Sequence, residues 1–255
     1  MQNIQALALA LDVSISAFFA GTVPAVQPAL GTSLYRVKEG FSMSCGFSVT
    51  GMDVQKAAQV TAQQAQLLPF SLFQSVDLKT LSSIVGALFA GELAKEVGAI
   101  VNPIEKGHPD ILPRTAANAT EAQLRNYPDG LEVKVTVGNV KKGSDLMPGT
   151  PRIGRLTGVT WQAHHREVER LLGLVIDFAG AAQDDVRYPV ITAAFFSDAL
   201  CEDDWGVVSG TTGRNTKVSG MRTSGKQKMG EGWVLIIDDE AYISKYSSML
   251  TLSLG

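Results

Sequence analysis

The chain has 255 residues, of which 45% are hydrophobic and 18% are charged, and its formal net charge is −3. These values are typical of a globular protein with a sizeable core and exclude an intrinsically disordered chain. The net charge argues against a uniformly basic protein that coats nucleic acid, but it allows a local basic patch. Only Cys45 and Cys201 occur, far apart, so we expect no disulfide framework and a reducing compartment.

The first 30 residues are apolar enough to suggest a signal peptide. They lack its basic beginning, however, and Asp12 interrupts the apolar run. The stretches on either side of Asp12 are too short to span a bilayer. We therefore expect a buried or partner-facing helix here, no membrane association and a cytoplasmic location.

Two helices are predicted in the next part of the chain. Residues 53–67 are rich in Ala and Gln and begin with Asp53, a residue typical of an N-cap. Between Val76 and about Ile100, apolar residues recur at a spacing of three to four, which is the period of a helix.

The pattern then changes to that of strands. Residues 110–113 and 131–137 predict two short strands joined by a turn at 126–130. Residues 158–170 predict a helix, and the apolar runs 171–179 and 188–200 predict buried strands. This order predicts an α/β or α+β fold with a mixed sheet flanked by helices. We expect a single domain over residues 1–255, with a helical elaboration (1–75), a core (76–200), and a basic loop with C-terminal strands (201–255).

An unusual set of charges lies on the two short strands. Pro109-Asp110 opens the first strand, and Glu132-Val133-Lys134 lies on the second. Glu132 and Lys134 are two residues apart, so their side chains leave the same face of the strand. Asp110 on the adjacent strand would repel Glu132 unless a cation lay between them. Carboxylate oxygens with water suit Mg²⁺, so we predict a magnesium site. The alternative is a simple turn beside a water-exposed strand face.

This arrangement resembles the PD-(D/E)xK nuclease superfamily, and most of all its type II restriction endonucleases. The resemblance rests on the five residues just quoted, and in organisation it covers roughly 76–200. It implies a restriction-endonuclease-like fold whose catalytic core is this part of the chain. It also implies that Asp110, Glu132 and the backbone carbonyl of Val133 bind Mg²⁺. Lys134 would orient the attacking water or help to deprotonate it.

Glu92 is a further candidate metal ligand, because it falls on the apolar stripe of the second predicted helix. An acid in such a stripe is costly unless it is paired or binds a metal. Enzymes that this chain resembles often supply an additional acid from this helix, with Glu92 a better candidate than Glu96. The alternative is that both glutamates reach water beside Lys95.

The segment Ser209–Gly230 has five basic residues and no acid, which indicates a segment that contacts DNA phosphates and enters a groove. The alternative is a solvated loop. A second basic run follows the strand that carries Glu132. Of two adjacent histidines at most one would face DNA, and His164 is the candidate. The candidate DNA-binding residues are Lys141, Lys142, Arg152, His164, Arg214, Asn215, Lys217, Arg222, Lys226 and Lys228.

The function expected from the resemblance is Mg²⁺-dependent, site-specific hydrolysis of double-stranded DNA, as in a type II restriction enzyme. A homodimer is expected because a two-fold protein most simply cuts both strands of a two-fold site. The resemblance also implies a cognate DNA methyltransferase in the host. The alternatives are a repair or mobile-element nuclease of the same core, a catalytically inactive DNA-binding module, and a structural protein whose charges form a surface ion-pair cluster.

Overall fold

A computed structural model describes residues 34–105, 107–142, 149–163, 166, 168–179, 187–208, 218–250 and 252. The predicted helix within the first 30 residues lies outside these ranges. The same is true of four candidate DNA-binding residues, His164, Arg214, Asn215 and Lys217.

The strands, numbered in chain order, are mostly short. They are β1 (Tyr35–Val37), β2 (Ser42–Ser44), β3 (Ser48–Thr50), β4 (Ile100–Val101), β5 (Ile111–Leu112), β6 (Glu132–Thr136), β7 (Asn139–Val140), β8 (Leu156–Gly158), β9 (Gln162–Ala163), β10 (Leu171–Phe178), β11 (Pro189–Ser197), β12 (Ser219–Gly220) and β13 (Trp233–Ile237).

The helices lie mainly before β4 and after β12. They are α1 (Gly51–Leu67), α2 (Phe70–Ser75), α3 (Leu78–Glu96), α4 (Glu121–Leu124), α5 (Thr223–Glu231) and α6 (Glu240–Leu250), with 3₁₀ turns at Arg114–Asn118, Ile153–Arg155 and Glu202–Asp204. None of the helices in the described ranges is long and apolar enough to cross a membrane.

The main sheet has the strand order β1-β13-β11-β10-β6. Strands β6 and β10 run parallel, and the other neighbours are antiparallel, so the predicted mixed sheet is confirmed. Every residue of β10 and β11 is buried, as their continuous apolar runs predict. Strand β6 forms one edge of this sheet, and it carries Glu132 and Lys134.

Helix α1 begins at a capping box and not at the predicted N-cap. Thr50 is the N-cap, its Oγ1 accepts a hydrogen bond from the backbone N–H of Asp53, and the Asp53 carboxylate accepts the N–H of Thr50. Asp53 is therefore the third helical residue. The buried face of α1 is rich in alanine, which lets it pack closely against α3 and the sheet.

The helix predicted over 158–170 is wrong where this segment is described. Gln162–Ala163 forms β9 and pairs with β12. Trp161 is 1% exposed, and its indole N–H donates to the carbonyl of Leu174 in β10 at 3.2 Å. The expectation that Trp161 belongs to the core is confirmed, and this long-range contact holds the chain in an extended conformation.

The two ends of the predicted layout also differ from the structure. Residues 34–75 are not only helical, because Tyr35–Val37 forms the edge strand β1 of the main sheet and pairs with β13. After residue 201, β12 and β13 are accompanied by α5 and α6, which the sequence did not predict. Within the basic segment, residues 223–230 are helical and not loop.

Candidate functional site

Strands β5 and β6 bring the first acid next to the second. Ile111 and Leu131 exchange both backbone hydrogen bonds, at 3.1 and 2.9 Å. Their chain neighbours Asp110 and Glu132 are thereby placed side by side, although 22 residues separate them in the sequence. The close pairing has a backbone requirement at Gly130, whose φ is +139°. A Cβ at this position would overlap the carbonyl oxygen of Ile111, so only glycine fits.

The loop before Asp110 is held by Asn102, which sequence reasoning missed. Asn102 is 6% exposed, and its Nδ2 donates to the carbonyls of Pro109 at 3.1 Å and Leu124 at 2.8 Å. Its Oδ1 accepts the N–H of Ile104 at 3.1 Å. This one amide ties both ends of the loop to the last residue of α4, and it fixes the direction in which the chain enters β5.

Asp110, Glu132 and Lys134 converge as predicted from the alternation of side chains on a strand. Lys134 Nζ forms an ion pair with Glu132 Oε1 and lies 3.5 Å from Asp110 Oδ2. The side chains of Glu132, Lys134 and Asp110 are 5%, 20% and 35% exposed. The group is therefore a partly covered cluster with its open side at Asp110, and not a surface ion pair.

The backbone of Val133 also faces the acids. Its N–H donates to Asp110 Oδ2 at 2.9 Å, whereas the N–H of Glu132 points the other way, to Arg170. The N–H and C=O of one strand residue lie on the same edge of the strand. The carbonyl of Val133 is therefore directed to the Asp110 side of β6, which is the position that a ligand carbonyl needs.

His108 is a member of this cluster that sequence reasoning did not assign to the site. Its Nδ1 lies 3.3 Å from Glu132 Oε1 and 3.4 Å from Oε2. The available signal was its position directly before Pro109-Asp110, which carries it into the same loop.

The surroundings of the two carboxylates in the cluster shift their pKa values in opposite directions. Burial raises the pKa of Asp110, and the nearby charge of Glu132 raises it further. Burial would raise the pKa of Glu132 too, but the hydrogen bond from His108 and the charge of Lys134 outweigh it and hold that pKa at about 2. The hydrogen bond to Glu132 raises the pKa of His108.

Lys134 keeps its proton in this setting. Burial alone would lower its pKa, but the charges of Asp110 and Glu132 outweigh burial and raise it. The ammonium therefore acts as the positive charge that two neighbouring carboxylates require, and Glu132 remains ionised beside it.

The residues present fit Mg²⁺ by their chemistry, although the described part of the chain holds no group of three or more His, Cys, Asp and Glu side chains arranged for a metal ion. Mg²⁺ in proteins keeps several waters and uses only one or two carboxylates. Two carboxylates and the Val133 carbonyl meet that need. Glu132 Oε1 is buried, and Lys134 Nζ and His108 Nδ1 lie next to it. A metal ion at this oxygen would share it with these two groups.

The structure places Glu92 on the interface between α1 and α3. Gln64 Nε2 donates to Glu92 Oε1 at 2.8 Å, and Lys95 Nζ lies 3.7 Å from Glu92 Oε2. Glu96 pairs with Lys56 at 2.6 Å. These contacts explain how an acid can lie on the apolar stripe of α3 without a bound metal, because Glu92 is paired with Gln64 and Lys95.

The described DNA-binding candidates fall into two groups. Lys141, Lys142 and Arg222 are exposed, and Lys226 is half-buried. Arg152, in contrast, is 7% exposed, and its guanidinium donates to the carbonyls of Val137 and Gly138.

Lys228 is likewise engaged within the fold. Its Nζ lies 2.7 Å from Asp204 Oδ2 and 2.7 Å from the carbonyl oxygen of Ala199. Arg152 and Lys228 are thus bound to groups of this chain, which gives both residues a structural role.

A cleft of about 150 Å³ opens beside Glu132. One wall is formed by the turn before β6, and the other by the residues that lead into β10. The residues that matter for the site are His108, Tyr127, Glu132 and Arg170, which all line this cleft. Of the cluster, Glu132 and His108 line this space, whereas Asp110 and Lys134 are not among its lining residues.

Comparisons with known proteins give no relative for this arrangement. No family matches the chain, and no curated protein or solved structure matches it at a significant level.

Proposed function

We propose that this protein is a Mg²⁺-dependent, site-specific endonuclease that hydrolyses phosphodiester bonds of double-stranded DNA. The observation that supports the proposal is the convergence of Asp110, Glu132 and Lys134, within 3.5 Å of Lys134 Nζ, beside a cleft. The burial of these groups argues against the alternative of a surface ion-pair cluster, because the charged groups of such a cluster would be exposed to water.

The proposed roles follow from the geometry of each group. Asp110, Glu132 and the Val133 carbonyl would hold Mg²⁺, and His108 would orient the Glu132 carboxylate. When bound, Mg²⁺ offsets the charge that develops on the phosphate during in-line displacement. Lys134 would orient the attacking water as a hydrogen-bond donor, since its raised pKa keeps the amine protonated.

A homodimer, a cytoplasmic location and a cognate methyltransferase in the host belong to the same proposal, and they depend on the resemblance to type II restriction enzymes. A repair or mobile-element nuclease of the same core remains the second enzymatic candidate. A DNA-binding module without activity is the candidate from another class.

Digestion of a sequenced plasmid separates these functions. We expect cleavage in Mg²⁺ or Mn²⁺, none in excess EDTA, and discrete fragments whose mapped ends share one sequence. A smear of fragments would favour general repair, and binding without cleavage would favour an inactive module. Undiminished cleavage in EDTA would contradict the proposed mechanism.

Replacement of Lys134 tests the site itself. Lys134→Ala is expected to abolish cleavage but to retain DNA binding in Ca²⁺, because the two carboxylates remain. Lys79→Ala is the control, since Lys79 is an exposed lysine near the start of α3 and is not among the candidate catalytic or DNA-binding residues. Cleavage by Lys134→Ala at the wild-type rate in the plasmid assay would show that the assignment is wrong.

A further inference from the structure

Arg170 lies next to the candidate site through the backbone of the sheet. Its carbonyl accepts the N–H of Glu132 at 3.3 Å, so Arg170 occupies the position just before β10 that neighbours Glu132 on β6. In the register of β6 and β10, Leu171 lies opposite Glu132, so Arg170 is offset from Glu132 by one residue. Arg170 and Glu132 nevertheless both line the same cleft.

The side chain of Arg170 lines the cleft beside Glu132 and is 37% exposed. Its Nη1 lies 3.2 Å from Oδ1 of Asp129, whose side chain is 52% exposed. An ion pair this exposed contributes little, because water screens both charges. The guanidinium is thus held in place at the cleft by a partner that a stronger anion can replace.

We propose that Arg170 binds a backbone phosphate of the DNA strand that enters this cleft. This inference rests on the proposed function. Arginine binds phosphate with two parallel hydrogen bonds, and a phosphate can replace the exposed Asp129 carboxylate at little cost. Glu132 and Glu169 also line the cleft, so a phosphate would bind there together with a divalent cation that offsets their negative charge.

Arg170→Ala and Asp129→Asn together separate a phosphate contact from a structural ion pair. The measurement is fluorescence anisotropy of a short labelled duplex of mixed sequence in Ca²⁺, titrated at several salt concentrations. For Arg170→Ala we expect about tenfold weaker binding near 0.1 M salt and a salt dependence flatter by roughly one unit of slope. Asp129→Asn is expected to bind as tightly as wild type or more tightly, because it releases the guanidinium.

Three results would count against the proposal. If Arg170→Ala binds as wild type does, only the role of Arg170 is overturned. If Asp129→Asn loses as much affinity as Arg170→Ala, the ion pair supports the structure and the phosphate contact is rejected. If wild-type protein binds no duplex at any salt concentration, the proposed function fails together with this inference. Thermal unfolding of each variant identifies a loss of affinity that comes from unfolding.

Discussion

Asp110 and Glu132 are two carboxylates of one small cluster, yet their pKa values move in opposite directions. The difference comes from their neighbours. Glu132 has His108 and Lys134 next to it, whereas Asp110 has the negative charge of Glu132 and a longer distance to Lys134. At this scale the ionisation of each group is decided by contacts of a few ångströms, made both by a close neighbour in sequence, as Lys134 is to Glu132, and by a distant one, as His108 is to Glu132.

His108 is expected to tune cation binding at Glu132. Removal of a side chain that orients a metal ligand typically lowers metal affinity about 10–100-fold. We therefore expect His108→Ala to weaken Mn²⁺ binding by about tenfold or more, and His108→Gln to restore part of it because its amide can donate to the carboxylate. Calorimetric titration with Mn²⁺ measures this without any cleavage. Asn126→Ala, an exposed position of the same cleft, is the control and is expected to bind Mn²⁺ as wild type does.

Asp204 gives a prediction for pH. Burial would raise its pKa, but the hydrogen bond from Lys228 and those from Ser224 and Cys201 lower it to about 2. Because the folded pKa lies below the ordinary 3.8, the carboxylate stabilises the fold above that value, and this contribution is lost as the pH falls through 2.

Asp204→Ala should therefore lower the free energy of unfolding by about 2 kcal/mol at neutral pH, where Asp204 is ionised and accepts all of these hydrogen bonds. Urea unfolding at a series of pH values measures the difference in free energy of unfolding between wild type and variant. We expect this difference to become smaller as the pH falls below about 4. A difference that stays constant down to pH 2 would mean that the charge of Asp204 plays no part in stability.

At the scale of elements, the site depends on the bridge between Ile111 of β5 and Leu131, the residue just before β6. The pairing of Ile111 with Leu131 sets Asp110 beside Glu132, and Asn102 holds the loop that leads into β5. Neither element is stable by itself, since β5 has only two residues. Their contact with α3 and β10 keeps them in register.

Gly130 is the position where this register can be disturbed most selectively. Gly130→Ala is expected to destabilise the fold by about 2 kcal/mol or more, because its φ is +139° and its Cβ would overlap the Ile111 carbonyl. Gly91→Ala is the matched control, since Gly91 lies within α3 with nothing near its Cβ. There we expect a gain of about 0.5–1 kcal/mol. Chemical denaturation of both variants measures these changes in the free energy of unfolding. A Gly130→Ala variant as stable as wild type would argue against the described turn.

At the scale of the whole molecule, part of the basic segment Ser209–Gly230 has a structural role besides the predicted contact with DNA. Its described part is built into the fold, because Met229 is fully buried and Lys228 binds Asp204. Deletion of 211–228 would therefore damage the core, and single replacements such as Arg222→Ala are the appropriate test of DNA contact.

The oligomeric state is a prediction at the same scale. If the protein cuts both strands of a two-fold site, sedimentation equilibrium is expected to give twice the mass of the chain at micromolar concentration, with or without DNA. A monomer under both conditions would argue against symmetric cleavage. It would favour an enzyme that cuts one strand at a time.

The sequence by itself determined the periodic elements and the convergence of three charges. The helical spacing in 76–100 and the apolar runs of β10 and β11 predict elements that the structure contains, because burial of a repeating face is a local property. The alternation of side chains on a strand likewise placed Glu132 and Lys134 on one face.

Tertiary structure decided what depends on contacts between distant residues. Gln162–Ala163 forms a strand and not a helix because it pairs with β12, and the indole of the preceding Trp161 binds the Leu174 carbonyl. His108, Asn102 and Arg170 join or border the site only because the Ile111–Leu131 bridge and the pairing of β6 with β10 bring their loops together. Such partners leave no periodic signal in the sequence, since a hydrogen bond across 20 or more residues is made by folding and not by local spacing.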